Sequence, residues 1–297
     1  MEKIGSYVNG NTIVVMYDNG TKERYIKDGE DPHPVFPESM DVKITNMCNA
    51  GCPMCAECST PDGEHANLLH NPLLDSVQPY TELAIGGGNP LEHPELFEFL
   101  KNMKRQNVIC NLTVNQKHFL ENLGFLHMLT DYGYIHGLGV SIPEAPSYFA
   151  LDKLSYFPNA VVHTIAGYTP IETYEQLADH DLNLLILGFK NKGHGEDMVH
   201  RHFATIMQKT IELEQYLREG NYRRYKAVAF DNAAVDQLRC KEWMPVDAFE
   251  QFYMGGDGEF TMYLDLVKNE YAKSSTHPTK PIDGGTISEL FMKTRYI

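Results

Sequence analysis

What the chain lacks narrows its role first. No stretch approaches the roughly 20 consecutive apolar residues of a membrane-spanning helix. The opening Met1-Glu2-Lys3-Ile4-Gly5-Ser6 has no basic segment backed by an apolar core, so neither membrane insertion nor secretion is expected and a cytoplasmic location follows. Basic residues are scarce: 25 Lys and Arg stand against 40 Asp and Glu, a net charge of −15, the wrong sign for gripping extended nucleic acid through its phosphates. Outside the secretory pathway, the Asn-x-Thr matches at Asn19 and Asn111 are chance. Internal repeats and low-complexity tracts are absent. What is present, 297 residues with 42% hydrophobic and 11% aromatic side chains, can bury a core without disulfide staples.

Cysteine is also sparse, at six residues, but unevenly placed: Cys110 and Cys240 stand alone while Cys48, Cys52, Cys55 and Cys58 fall within eleven positions. A reducing cytoplasm disfavours disulfides, and loops this short would gain little entropic stabilisation from them. Metal ligation accounts better for the cluster.

The first forty residues read as a small β unit, with turns at Asn9-Gly10 and Asn19-Gly20 between β-branched runs. Asp28 to Pro37, rich in Pro and Gly, reads as a linker and sets a boundary at 38. From 39 to 225, short apolar runs alternate with helical patterns. The strands are expected at Val42–Thr45, Leu83–Ile85, Val108–Val114, Leu138–Ile142, Ala160–Ile165 and Leu184–Leu187. Leu96, Phe99, Leu100 and Met103 mark a helix with Pro94 in its first turn, and a further helix spans 199 to 217. Six strand-helix units in succession predict an α/β architecture, a parallel sheet whose ligands sit at the carboxyl ends of its strands. Residues 226–297 read as an α+β extension capping that core, with Tyr253, Asp257, Tyr263 and Asp265 over its open side.

The cysteine run, Cys48-Asn-Ala-Gly-Cys52-Pro-Met-Cys55, lies directly after the first strand of the α/β unit, where Gly51 and Pro53 supply sharp turns. Soft thiolates at this spacing favour an iron-sulfur cluster or zinc. At these residues the chain resembles the radical S-adenosylmethionine (radical SAM) superfamily, whose signature is Cys-x3-Cys-x2-Cys after the first strand of a partial six-unit βα barrel. The resemblance covers about residues 41 to 190. It implies a 4Fe-4S cluster on Cys48, Cys52 and Cys55 with one iron open to S-adenosylmethionine, whose reductive cleavage yields a 5'-deoxyadenosyl radical that abstracts hydrogen from a substrate. It further implies an electron donor such as flavodoxin or ferredoxin.

Leu83-Ala84-Ile85 leading into Gly86-Gly87-Gly88-Asn89-Pro90 resembles the superfamily's Gly-Gly-Glu-Pro loop, where glycines let backbone carbonyls approach the cofactor. Asn115, Ser141 and Leu187 match later strand ends that contact the cofactor, and Met54 stands where an aromatic beside the third cysteine is usual. Cofactor binding is therefore expected at Met54, Gly87, Gly88, Asn89, Asn115, Ser141 and Leu187. Asn89 replaces the usual Glu. Cys58 is an additional thiol, which leaves a four-cysteine zinc site in a non-catalytic binding module as the competing reading.

Cys110 reads as a small buried hydrophobe and Cys240 as a candidate hydrogen donor in catalysis. His163 points either into the barrel or into the core, and His194, His200 and His202 read as a solvated loop and helix start. The substrate is expected to be a peptide or protein, with a small or nucleotide-derived metabolite as the alternative.

Overall fold

The computed structural model of the chain describes residues 1–296. Strands β1 (Lys3–Asn9), β2 (Thr12–Tyr17) and β3 (Lys22–Tyr25) form a small antiparallel sheet. The remaining strands are β4 (Ser39–Thr45), β5 (Glu82–Gly87), β6 (Ile109–Asn115), β7 (Gly137–Ser141), β8 (Ala160–Ile165), β9 (Asn183–Leu187), β10 (Ala227–Phe230), β11 (Thr261–Asp265), β12 (Glu270–Ala272) and β13 (Lys280–Pro281). They make one sheet in the order β10-β9-β8-β7-β6-β5-β4-β11-β12-β13. Every pairing from β10 across to β11 is parallel. The helices are α1 (Leu96–Arg105), α2 (Gln116–Glu121), α3 (Leu123–Asp131), α4 (Tyr148–Leu154), α5 (Ile171–Leu177), α6 (His194–Arg218), α7 (Asn232–Gln237), α8 (Cys240–Trp243), α9 (Val246–Phe252) and α10 (Ile287–Thr294). No helix among the described residues is long and apolar enough to cross a membrane.

Period-two alternation divides the large sheet into two faces. Val42, Ile44, Leu83, Ile85, Leu112, Val114 and Val140 are buried in the core, where α1 adds Leu96, Phe99, Leu100 and Met103 at helical spacing. The opposite face carries polar and small residues instead: Asp41 and Lys43 on β4, Ala84 and Gly86 on β5, Gly139 on β7. The sheet curls about that face until its edges approach. Lys190, just beyond β9, donates to Ser275 Oγ at 2.8 Å and Lys192 donates to the Ser275 carbonyl at 3.1 Å, Ser275 lying just beyond β12.

The sheet is larger than six units because β10 adds to β9 at one edge and β11 to β4 at the other. Strands from residues 226–297 therefore enter the core sheet on both sides. An open edge of a parallel sheet exposes unpaired N–H and C=O groups, and these late segments satisfy them. Pro94 lies outside α1, whose cap is Glu95, and α6 begins at His194, with a kink at His202.

In the small sheet the first turn centres on Gly10-Asn11, not Asn9-Gly10, because Asn9 is still paired with Thr12. The buried Asn9 side chain is used elsewhere: it donates to the Phe36 carbonyl at 2.9 Å and accepts from Val35 N–H at 2.8 Å, so the 28–37 segment folds back onto the hairpin. The sheet docks at the amino ends of the large sheet's strands, through Arg24 to Glu38 at 2.8 Å and Lys22 to Glu82 at 2.8 Å.

Candidate functional site

The cysteine segment leaves β4 at Thr45 and returns at His65, closed by its own backbone: Cys48 N–H donates to Thr60 O at 2.8 Å and Asn46 N–H to Glu64 O at 2.8 Å. Cys55 N–H bonds Cys52 O at 3.1 Å, a turn around Pro53, and Gly51 adopts a left-handed φ of 64°. The β5 end fastens this loop from below, where Gly88 N–H donates to Thr45 O at 2.7 Å and Asn89 N–H to Met47 O at 2.6 Å. A Cβ at Gly87 would collide with the Thr45 carbonyl and one at Gly88 with the Met47 carbonyl. These two glycines are thus required by the close approach of the chain's own cysteine loop, while a Cβ at Gly86 would meet open space.

A cavity of about 400 Å³ lies inside the curl, at the carboxyl ends of the strands. Cys48, Cys52 and Cys55 line it and Cys58 does not; Cys58 is exposed outside. Burial, with the neighbouring thiols Cys55 and Cys48, raises the Cys52 pKa, and burial also raises that of Cys48 against a hydrogen bond from Ala50 N–H. Among the described residues no three His, Cys, Asp or Glu side chains stand together as a group that could hold a metal ion. The three thiols instead face one open space, a donor set that suits a cluster with an uncapped side better than a four-ligand zinc site.

Of the remaining expected residues, Met54, Gly87, Gly88, Asn115, Ser141 and Leu187 line the same cavity. Asn115 has two tasks, capping α2 by accepting from Lys117 N–H at 2.9 Å and directing Nδ2 toward Cys52 Sγ at 3.8 Å. Asn89 is not in the wall. It is buried, caps the turn at Pro90–Glu92 and donates to Glu92 at 3.3 Å, because an Asn side chain is short enough to satisfy its own backbone. Cys240 is also absent from the wall. It is fully buried in the apolar core at the start of α8, away from the cavity lining. Cys110 is buried in the core as well, and the exposed His194, His200 and His202 on α6 do not line the cavity, although His194 N–H donates to the Cys55 carbonyl at 3.0 Å.

His163 faces the cavity, its ring lying across Gly139 of the neighbouring strand. It makes no hydrogen bond with any described residue, and burial lowers its pKa to about 4, so the imidazole is neutral at pH 7.

Several wall residues carry no sequence motif. His118 Nε2 donates to Asn49 Oδ1 at 2.8 Å, and Lys117 donates to the same oxygen at 3.1 Å, so α2 grips the cysteine loop. Lys43 joins Glu57 at 2.6 Å and Asp265 at 3.2 Å, a buried ion triad tying the loop to β4 and β11. Burial opposes the Lys43 charge, but the two carboxylates outweigh it and its pKa is raised. Asp41, Lys190 and Tyr263 complete that side. A signal for these residues was available: fully buried parallel strands read as continuous apolar runs, so Asp41 and Lys43 inside β4 mark an inward polar face.

The same fold occurs in solved structures. SuiB from Streptococcus suis bound to precursor peptide SuiA superposes with a TM-score of 0.55 at 10% identity over 87% of this chain. SuiB bound to S-adenosylmethionine gives 0.53 at 11% identity over 84%. This chain spans 65% and 64% of those two chains, less than two thirds of their length. Histidine-tagged anSMEcpe with bound AdoMet gives 0.50 at 11% identity, covering 87% of this chain and 79% of that one. No family model and no curated protein matches the chain. The α/β fold with its mostly parallel sheet is thus shared with these structures.

Proposed function

We propose that the chain is a radical SAM enzyme acting on a peptide. The observation that carries this reading is that Cys48, Cys52 and Cys55, and not Cys58, line a cavity at the carboxyl ends of parallel strands, in a fold shared with two proteins whose structures hold S-adenosylmethionine. When bound to the three thiolates, a 4Fe-4S cluster would supply the electron that splits the cofactor to a 5'-deoxyadenosyl radical. The chain's own part is positional. Asn115 and α2 hold the loop on one side, the Lys43 triad holds it on the other, and Gly87 and Gly88 let it sit close to β5. Met54, Ser141 and Leu187 provide wall for the cofactor, and neutral His163 presents an unpaired ring nitrogen to whatever lies beneath. The SuiB complex with its precursor peptide supports a peptide substrate.

Anaerobic reconstitution with iron and sulfide tests the reading. Broad visible absorption and formation of 5'-deoxyadenosine under reduction are expected; a colourless protein that holds one zinc and leaves the cofactor intact would overturn it.

A further inference from the structure

The side of the cavity formed by β4 and β11 is acidic and incompletely paired. Lys43 is already shared between Glu57 and Asp265, and Lys190 is hydrogen-bonded to Ser275. Asp41 has no hydrogen bond or ion pair with any described residue. Its side chain lines the cavity and is exposed there, where Asp231 and Asp257 add negative charge and Lys190 a positive one. Tyr263, whose backbone pairs with that of Asp41, is 4% exposed, and its hydroxyl is buried with no partner. Ser59, also in the wall, has a buried hydroxyl without a partner. Buried polar groups are rarely left unpaired in native proteins, and two such hydroxyls in the wall of one cavity, with an unpaired carboxylate in the same wall, signal a ligand that satisfies them.

We infer that this end, with Asp41 as its anchor and Tyr263 beside it, is a substrate subsite for a cationic group, an ammonium or guanidinium on a basic side chain of the substrate. The inference rests on the function proposed above and names its substrate class. A carboxylate in the wall of a concave site recognises a donor cation through charge-assisted hydrogen bonds, while a neutral or anionic side chain there would leave Asp41 unpaired or repelled. The net charge of −15 also draws a basic peptide toward the protein at long range.

The test is binding of N-acetyl-lysine amide against its neutral counterpart N-acetyl-norleucine amide, measured by calorimetry or ligand-observed NMR on the full chain, as purified and after reconstitution. The lysine compound is expected to bind about tenfold more tightly, in keeping with one charge-assisted hydrogen bond. Asp41→Asn should erase that preference, whereas the exposed Glu98→Gln should keep it. Lys190→Gln, which removes the competing positive charge, should tighten the lysine compound about threefold; opposite signs at 41 and 190 are not what a loss of folding produces. Equal binding of the two compounds, an intact preference in Asp41→Asn, weaker binding in Lys190→Gln, or displacement of the lysine compound by S-adenosylmethionine would each overturn the inference. A chain that selects lysine but forms no 5'-deoxyadenosine would refute the proposed function alone; one that cleaves the cofactor without selecting lysine would refute the subsite alone.

Discussion

The wall formed by β5 to β8 presents Gly86, Thr113, Ser141 and His163 to the cavity, whereas β4 and β11 present Asp41, Lys43 and Tyr263. Both walls belong to the same parallel sheet, and their outward faces are equally apolar. The first is shaped for room: glycines and a neutral imidazole leave space and little charge. The second is shaped for charge, with a triad that spends one amine on two carboxylates and an aspartate left over. Adjoining strands with the same core-facing pattern can thus divide a cavity into a roomy end and a charged end, because only every second residue is free of packing duty.

The sharpest way to break this division is at the thiols between the two walls. Cys52→Ala should abolish the visible absorption of the reconstituted protein and all 5'-deoxyadenosine formation, while Cys58→Ala retains both; loss in both variants would mean that four cysteines act together. On the charged wall, Lys43→Met leaves Glu57 and Asp265 facing each other in a buried site and should cost about 4 kcal/mol in urea denaturation at pH 7. That loss should shrink as the pH is lowered and the carboxylates take up protons.

Beneath the loop, Gly88→Ala forces a Cβ against the Met47 carbonyl, and a cost of about 3 kcal/mol is expected, with weakened iron uptake as the loop is displaced. On the roomy wall the effect is one of pH. The folded pKa of His163, about 4, lies below its ordinary 6.5, so between these values the unfolded chain binds more protons and stability falls as the pH drops. A His163→Gln variant should flatten that slope by about 2 kcal/mol between pH 6.5 and 4, read from urea melts at each pH. Smallest, Cys240→Ala should cost about 1 kcal/mol through a small core cavity and leave cofactor cleavage unchanged; lost cleavage would restore a catalytic role to this thiol.

The legible part of the site was the part with local chemistry. Cys48, Cys52 and Cys55 lie within eight consecutive residues, so their spacing alone brings them together, and Gly87-Gly88 follow a strand whose register is set by Leu83 and Ile85. Asn89 and Cys240 misled for a shared reason, since the residue type suited a role that the surroundings did not permit. An Asn beside a turn caps that turn, and a cysteine among Leu213, Leu217 and Leu238 packs as an apolar residue. The turn at Gly10-Asn11 differed from the expected Asn9-Gly10 because the Asn9 side chain was claimed by Phe36, a partner 27 residues away.

The sequence by itself determined the strand-helix alternation, the inward placement of three thiols after β4 and the apolar faces that form the core, because each depends on spacing within a few turns of chain. Only the tertiary structure decided that Lys43 meets Glu57 and Asp265, that Lys190 reaches Ser275, and that Asp41 is left without a partner. Those outcomes depend on how far the sheet curls and on which late segments add to its edges. Both follow from the whole chain burying its apolar faces and pairing its open strand edges, a sum over contacts far apart in sequence that no local pattern records.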